Sequence, residues 1–291
     1  MSPVLRRLLA DLALVGVAVV WGATFPVAKR ILEFLPPFAY LAVRFAVATV
    51  ALLPLARFAR RAGPSWAWRR GAAAGLALGA GYALQTLALQ SAPATSAAFI
   101  TGLFVVLVPV LGLMWGRRPG AWEWTGVVVG TAGLVLLTGG ASRFGVAEAL
   151  LVGCAASFAV HILVLDQVAP HLPPAALGAV QVGVAAAVCA AFVPFESLPG
   201  AVPAWVWAAV AGMGLVASAL AFTVQAWAQR FTPPTHVGLV FAGEPVAAAV
   251  FARLWLGERL DALQWAGAAL ILAGITAAQL GAPEPAAQRG P

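Results

Sequence analysis

The chain has 291 residues, of which 62% are hydrophobic and only 9% are charged, and its mean hydropathy is +0.94. A soluble domain carries about 25% charged residues, so this composition excludes a water-soluble globule. The formal net charge of +7 would suit a nucleic-acid partner. However, the basic residues cluster in short segments between apolar runs, as the positive-inside rule describes. We therefore predict an integral membrane protein whose partner is the lipid bilayer and not nucleic acid.

Ten apolar runs follow one another along the chain, each close to the roughly 20 residues that a helix needs to cross a bilayer. The first is too long for a signal peptide and has no clear cleavage site, so we predict a retained helix. The runs lie at residues 10–30, 36–56, 70–90, 94–115, 121–139, 146–168, 174–195, 203–227, 234–256 and 261–280. The predicted fold class is therefore all-α, with ten transmembrane helices and, from the positions of Lys and Arg, both termini in the cytoplasm.

An internal repeat divides the chain into two halves of five helices, predicted at residues 1–143 and 144–291. Four patterns recur in the same order, at offsets of 136 to 141 residues. They are aromatic-x-x-Gln with a later Pro at 82–93 and 222–233, W-x-G-x6-G at 124–133 and 265–274, double prolines at 36–37 and 173–174, and single prolines at 109 and 245. Because five is odd, the second half enters the membrane from the opposite face. Such inverted repeats are typical of transporters, with the substrate site near the membrane midplane.

Four short motifs carry a family resemblance. They are Trp21-Gly22-Ala23-Thr24-Phe25 with Lys29, Phe99-Ile100-Thr101-Gly102-Leu103 before Pro109, Glu244-Pro245-Val246, and Leu256-Gly257-Glu258-Arg259. These motifs resemble the EamA branch of the drug/metabolite transporter superfamily, although the connection after Pro109 is shorter than the family pattern. Within that branch the chain is most similar to bacterial exporters of aromatic amino acids.

The resemblance implies ten helices around a central cavity, in a monomer or weak dimer of the bacterial inner membrane. It also implies export of amino acids and related small metabolites from the cytoplasm, with no cofactor. Alternating access by facilitated diffusion is the predicted mechanism, because carboxylates are scarce within the apolar runs. Efflux of drugs or other lipophilic metabolites, by proton antiport in one version, stays open as the alternative.

Polar and aromatic side chains inside the predicted helices are the candidates for substrate binding, because a polar group at membrane depth is costly unless it faces a partner or a wet cavity. Tyr82 and Gln85 share one helical face, and Phe222 and Gln225 are their counterparts in the second half. The two glutamines either line one cavity or simply hydrogen-bond between helices. The predicted substrate-binding residues are Trp21, Thr24, Tyr82, Gln85, Thr101, His161, Gln181, Phe222 and Gln225.

Several of these side chains have more than one interpretation. Trp21 lies away from the interfacial belt where Trp usually concentrates, so it packs against either the substrate or a neighbouring helix. His161 either binds a substrate carboxylate, carries a proton, or bonds to another helix as a neutral ring. Arg44, which aligns with Gln181 in the repeat, is a candidate for carboxylate binding or for a buried structural pair.

Two further charges and two prolines have possible mechanical roles. Lys29 either snorkels to the membrane surface or contributes to a gate or substrate contact. Glu244 either stabilises the helix break at Pro245 or couples transport to another event. Pro109 and Pro245 are predicted hinges for alternating access.

Other function classes lack their sequence signatures. Ser157 and His161 are one helical turn apart, but no nucleophile elbow surrounds the serine, so a serine hydrolase is not predicted. The chain contains no Gly-rich phosphate-binding loop, which excludes ATP-driven pumping by this chain. Cys154 and Cys189 imply neither a disulfide framework nor a metal cluster. We therefore predict no catalytic residue, metal or cofactor.

Overall fold

A computed structural model describes residues 3–57, 63–137, 145–256 and 261–280, and every regular element in these ranges is helical. The first half contains α1 (Pro3–Ile31), α2 (Pro37–Arg57), α3 (Ser65–Leu89), α4 (Ala94–Thr101), α5 (Phe104–Met114) and α6 (Ala121–Leu137). The second half contains α7 (Val146–Val168), α8 (Pro174–Ala190), a 3-10 turn (Val193–Phe195), α9 (Ala204–Gly212), a π-helical segment (Met213–Leu220), α10 (Ala221–Ala228), α11 (Pro234–Phe241), α12 (Glu244–Leu256) and α13 (Ala262–Leu280).

These helices form ten membrane spans in two repeats. In the described ranges, eight helical segments are long and apolar enough to cross a bilayer, and α6 and α13 are two shorter apolar helices. Three spans are each built from two helices: α4 with α5, α9 with α10 through the π segment, and α11 with α12. The predicted fold class is confirmed. The predicted boundary between the halves, at residues 143 and 144, and Gly257-Glu258-Arg259 of the fourth motif lie outside the described residues.

Proline sets the start of several spans at corresponding places in the two halves. Pro93 precedes α4 and Pro233 precedes α11, each with the extended backbone of a residue that caps a helix. Pro173 likewise precedes α8, whose first residue is Pro174. Proline suits these positions because its fixed φ is compatible with the first turn and its missing N–H would have had no helical partner there.

The two halves pack on each other through α1 with α12, α2 with α8, α3 with both α7 and α8, and α6 with α13. The repeated W-x-G-x6-G motif explains the last of these pairs. A Cβ atom at Gly133 would lie 2.6 Å from the carbonyl oxygen of Gly267, and one at Gly274 would lie 2.7 Å from that of Gly126. The second glycine of each motif therefore meets the first glycine of the other, and the second glycine must lack a side chain for the helix backbones to approach this closely.

We expect Gly133→Ala to lower the melting temperature of the detergent-purified protein by about 5 °C, because overpacking a close contact costs roughly 1–3 kcal/mol. Gly130→Ala is the matched control on the same helix, since nothing lies within 4 Å of a Cβ atom built there. Differential scanning fluorimetry of both variants checks the prediction. Equal melting temperatures for the two would contradict the proposed contact.

The structure corrects the predicted pairing of Pro109 with Pro245. The fourth span is interrupted at Gly102–Leu103, between α4 and α5, and the ninth at Ala242–Gly243, between α11 and α12. The helices on either side of these breaks correspond at a constant offset of 140 residues, so the counterpart of Pro245 is Val105. Pro109 lies inside α5, past the break.

The breaks are tight turns in which backbone N–H groups bond three residues back. Leu103 N donates to Ile100 O at 3.1 Å, and Gly243 N donates to Val240 O at 3.0 Å. With the offset of 140, α6 and α13 begin 17 and 18 residues after the starts of α5 and α12. The connection that leads to α6 is therefore only one residue shorter than the one that leads to α13. The connection after Pro109 looks more strongly shortened only when Pro109 is treated as the equivalent of Pro245.

Candidate functional site

A closed cavity lies between the two halves of the protein, with walls from α1, α3, α5, α7, α10, α11 and α12. Its lining residues are Trp21, Thr24, Leu78, Tyr82, Gln85, Phe104, Phe158, His161, Ile162, Phe222, Gln225, Phe241 and Glu244. Its volume is about 30 Å³, which is room for about two water molecules. This conformation therefore holds the lining side chains close together.

Seven of the nine predicted substrate-binding residues line this cavity: Trp21, Thr24, Tyr82, Gln85, His161, Phe222 and Gln225. Thr101 and Gln181 instead lie behind the wall and hydrogen-bond to lining side chains. Gln85 Nε2 donates to Thr101 Oγ1 at 3.3 Å, and Gln181 Oε1 lies 2.6 Å from His161 Nε2. These two residues hold their partners in position without reaching the cavity themselves.

Aromatic rings form the largest part of the wall. The ring of Trp21 lies 5.1 Å from that of Phe222 and 4.9 Å from that of Phe241. Tyr82 stands edge-on to Phe158 at 5.2 Å. The indole Nε1 of Trp21 donates to Ala217 O at 2.8 Å. Trp21 thus packs against neighbouring helices, as one of the two predicted alternatives states, and its ring also lines the cavity.

The polar lining residues belong to buried hydrogen-bond chains. Gln225 Nε2 donates to Gln229 Oε1 at 3.0 Å, and Gln229 Nε2 donates in turn to Ile162 O at 2.9 Å. The carbonyl oxygen of the Gln225 side chain has no partner in the described part of the chain. Gln225 is therefore both fixed between helices and able to accept one further hydrogen bond.

Glu244 lines the cavity and was not among the predicted binding residues. It is the first residue of α12, is 7% exposed, and makes no hydrogen bond or ion pair with any described side chain or backbone group. The sequence directed attention to its neighbour Pro245 and to the helix break. The signal that could have identified it was its charge, since an ionisable residue within a span is by default a functional candidate.

Five apolar lining residues were also missed: Leu78, Phe104, Phe158, Ile162 and Phe241. No sequence signal separates them from the many apolar residues that face lipid or the protein core, since all three environments favour the same side chains.

Arg44 is buried behind the wall and does not line the cavity. Its Nε donates to Ser218 Oγ at 2.9 Å and its Nη1 donates to Tyr40 Oη at 3.0 Å. The guanidinium carbon lies 4.8 Å from the ring centre of Tyr82. Hydroxyl groups and an aromatic ring thus surround Arg44, which forms no ion pair with an acidic side chain in the described part of the chain, unlike the buried pair of the prediction.

The π-helical segment packs directly against Arg44. Ala217 O accepts from Trp21 Nε1 and lies 3.4 Å from Arg44 Nη2, while Gly214 lies so close to α2 that a Cβ atom there would be 2.7 Å from Arg44 O. A π-helix shifts the intrahelical bonding pattern and is often found at functional sites. Here it presents a carbonyl oxygen to two different helices.

Polar contacts connect neighbouring helices on both membrane faces of the protein. On the terminal face, where α1 begins and α13 ends, Thr232 Oγ1 donates to Asp11 Oδ1 at 2.7 Å, and Arg117 pairs with Asp166. On the opposite face, the Lys29 ammonium group donates to the carbonyl oxygen of Leu89 at 3.2 Å. Lys29 therefore ties α1 to the end of α3, as a gate contact would.

Comparison with known proteins identifies the family. The EamA-like transporter family matches the chain twice, at residues 8–139 and 145–278. The chain belongs to the EamA-like transporter family. The sequence resemblance to the EamA branch is thereby confirmed, and the protein is a multi-pass membrane transporter.

The names of two relatives of this EamA protein agree with that assignment. An uncharacterized transporter of Archaeoglobus fulgidus is 31% identical over 271 residues, which cover 93% of this chain and 85% of the relative. A second uncharacterized transporter from the same organism is 25% identical over 190 residues, covering 65% of this chain and 68% of the relative. A crystal structure with 22% sequence identity superposes with a TM-score of 0.75, covering 93% of this chain and 96% of the other, and so shares the fold.

Proposed function

We propose that this EamA transporter exports amino acids and related small metabolites from the bacterial cytoplasm, with both termini on the cytoplasmic side. The observation that supports the proposal is the cavity between the halves, where aromatic rings and hydrogen-bonding side chains lie together. An aromatic wall with a few fixed polar groups is typical of a site for a small organic molecule. The nine predicted residues are proposed to form this site, seven by contact and Thr101 and Gln181 through their neighbours.

Alternating access by facilitated diffusion is the mechanism that we propose. A cavity of about 30 Å³ is too small for an amino acid, so a substrate must enter through a rearrangement of the halves. The breaks at Gly102–Leu103 and Ala242–Gly243 interrupt two spans that border the cavity. Short changes from the α-helical to the 3-10 bonding pattern within a helix often mark a hinge, so we propose these two turns as hinges in place of the two prolines.

Counterflow of labelled amino acids in proteoliposomes, without an imposed ion gradient, tests this proposal. We expect label to accumulate for at least one aromatic or other neutral amino acid. We also expect Tyr82→Ala to reduce the initial rate about tenfold or more, because Tyr82 contributes a ring and a hydroxyl to the wall. Leu76→Ala is the control on the same helix, since Leu76 is exposed on the outer surface.

Absence of counterflow for every amino acid, in protein shown to be folded, would contradict the proposed substrate class. The aromatic walls would then favour efflux of drugs or other lipophilic metabolites. Transport of such compounds only under an imposed proton gradient would support the antiport version of that alternative.

A further inference from the structure

The geometry points to a substrate that carries a positively charged amine, with Glu244 and the adjoining aromatic rings as the groups that bind its ammonium. This inference rests on the proposed transport function and specifies the chemistry of its substrate. Three features of the cavity lead to it: an acidic group without a donor, an excess of free acceptors, and ring faces close enough to surround a cation.

The first feature is the position of Glu244 relative to its own helix. Glu123 and Glu148 also lie in the first turns of helices, and each accepts a backbone N–H at the helix start, from Gly120 at 2.7 Å and from Gly145 at 2.8 Å. Glu244 accepts no such bond in the part of the chain that the structure describes, and it borders the cavity. A buried carboxylate without hydrogen bonds is costly unless its charge is neutralised, and an ammonium group that enters the cavity would supply both the opposite charge and the missing N–H donors.

The second feature is the balance of acceptors and donors around the cavity. The side-chain oxygen of Gln225 lacks a donor. His161 Nε2 lies 2.6 Å from the Gln181 side-chain oxygen, and with the Gln181 amide in this orientation Nε2 donates and Nδ1 is left as an acceptor in the neutral ring. Together with Glu244, these groups present acceptor atoms from three different spans.

Two nitrogen donors of the cavity wall, those of Trp21 and Gln85, by contrast already have acceptors, whereas the Tyr82 hydroxyl donates to no group in the described part of the chain. The indole N–H of Trp21 bonds to Ala217 O, and the amide of Gln85 bonds to Thr101. Arg44, whose guanidinium would attract an anion, does not line the cavity and donates to Ser218 and neighbouring groups. The wall therefore suits a ligand with several N–H donors, which describes an ammonium group, and offers little to an isolated carboxylate.

The third feature is the group of rings beside these acceptors. The ring centres of Phe222 and Phe241 lie 5.1 Å and 4.9 Å from that of Trp21, and all three rings line the same cavity as Glu244. The face of an aromatic ring attracts a cation electrostatically, and the attraction is stronger when water is excluded. Aromatic faces next to a carboxylate form a recognised arrangement for organic ammonium groups.

Three ligands with the same ring and chain length separate the contributions. Phenethylamine carries only the ammonium, 3-phenylpropionate carries only the carboxylate, and phenylalanine carries both. We expect phenethylamine and phenylalanine to stabilise the full-length detergent-purified protein in a thermal-shift titration, and 3-phenylpropionate to bind at least about tenfold more weakly than phenethylamine. Equal or tighter binding of 3-phenylpropionate by the wild type would overturn the inference without any variant.

Glu244→Gln then tests the residue, since it keeps the size and hydrogen-bonding capacity of the side chain while removing its charge. We expect it to weaken phenethylamine binding about tenfold or more and to leave 3-phenylpropionate binding unchanged or tighter. Glu33→Gln is the matched control, because Glu33 is exposed on the protein surface just after the end of α1 and pairs with Arg30. If Glu244→Gln does not fold, the inference is tested by the comparison of the three ligands on the wild type alone.

The outcomes separate this inference from the proposed function. In one outcome, phenethylamine binds in a Glu244-dependent manner but no amino acid shows counterflow. This result would support the amine site and contradict amino acids as the substrates. Counterflow of amino acids that proceeds equally well in wild type and Glu244→Gln would retain the proposed function and overturn the amine site.

Discussion

Gly22→Ala is expected to abolish transport and to lower the melting temperature by about 5 °C or more. A Cβ atom at position 22 would lie 2.6 Å from Ala247 Cβ, 2.7 Å from Glu244 O and 2.8 Å from Ala248 N. Two of these three atoms belong to the backbone of α12, which cannot turn aside as a side-chain end can. The added methyl group must therefore push α1 away from α12, at an overpacking cost of roughly 1–3 kcal/mol or more.

The effect on transport is expected to exceed the effect on stability. Gly22 follows Trp21 on α1 and packs against the start of α12, and Trp21 and Glu244 both line the cavity, so the same displacement changes the position of Trp21 relative to Glu244. A shift of about 1 Å in a binding site can reduce its activity a hundredfold. Counterflow rate and melting temperature, measured on one preparation, check both effects.

Gly16→Ala is the matched control on the same helix. Nothing lies within 4 Å of a Cβ atom at position 16, and alanine favours a helix over glycine by about 1 kcal/mol. This control is expected to transport normally and to melt no earlier than the wild type. Normal transport by Gly22→Ala as well would show that close approach of α1 to α12 is not required.

The positions of the spans were predictable because a single physical quantity, the thickness of the bilayer, sets the length of every apolar run. Prolines at helix starts added several boundaries, and the repeated W-x-G-x6-G motif helped to show that the chain is duplicated. These signals are local in the sequence. That Gly133 packs against Gly267 became known only from the structure.

The helix breaks could not be placed from the sequence. Proline marked Pro109 as the point of interruption, yet the fourth span turns at Gly102–Leu103, a pair with no proline. A glycine inside a span is compatible with close packing, with a break, or with neither, and the tertiary contacts decide between them. The π-helical segment depends in the same way on Arg44 and Trp21, which come from other spans.

The candidate site was predictable in its polar part only. Gln85 and Gln225 were identifiable because a polar group in a span must have a partner or face a cavity. Phe158 and Phe241 were not, because lipid-facing and cavity-facing phenylalanines have the same surroundings in the sequence. Glu244 was identifiable by its charge within a span, but that it lines the cavity depends on the packing of α12, which only the structure shows.

Arg44→Lys is expected to lower the melting temperature by about 5 °C or more and to reduce counterflow strongly, although it preserves the positive charge. Arginine has donors on three nitrogens in a planar fork, and here Nε and Nη1 bond to Ser218 and Tyr40, on the eighth and second spans. A lysine ammonium is a single point charge and cannot reach both hydroxyls in this geometry. Hydrogen bonds to charged groups contribute about 1.5–3 kcal/mol each, so losing even one is a large change.

Transport depends on Arg44 through Tyr82, which lines the cavity. The guanidinium lies over the Tyr82 ring at 4.8 Å and its Nη2 lies 3.5 Å from the hydroxyl, so it fixes the direction of that ring. Arg30→Lys is the matched control, because Arg30 pairs with Glu33 on the protein surface, where ion pairs contribute little. If Arg44→Lys melts and transports like the control, its charge alone is sufficient and the planar fork is not what holds Tyr82 in the wall.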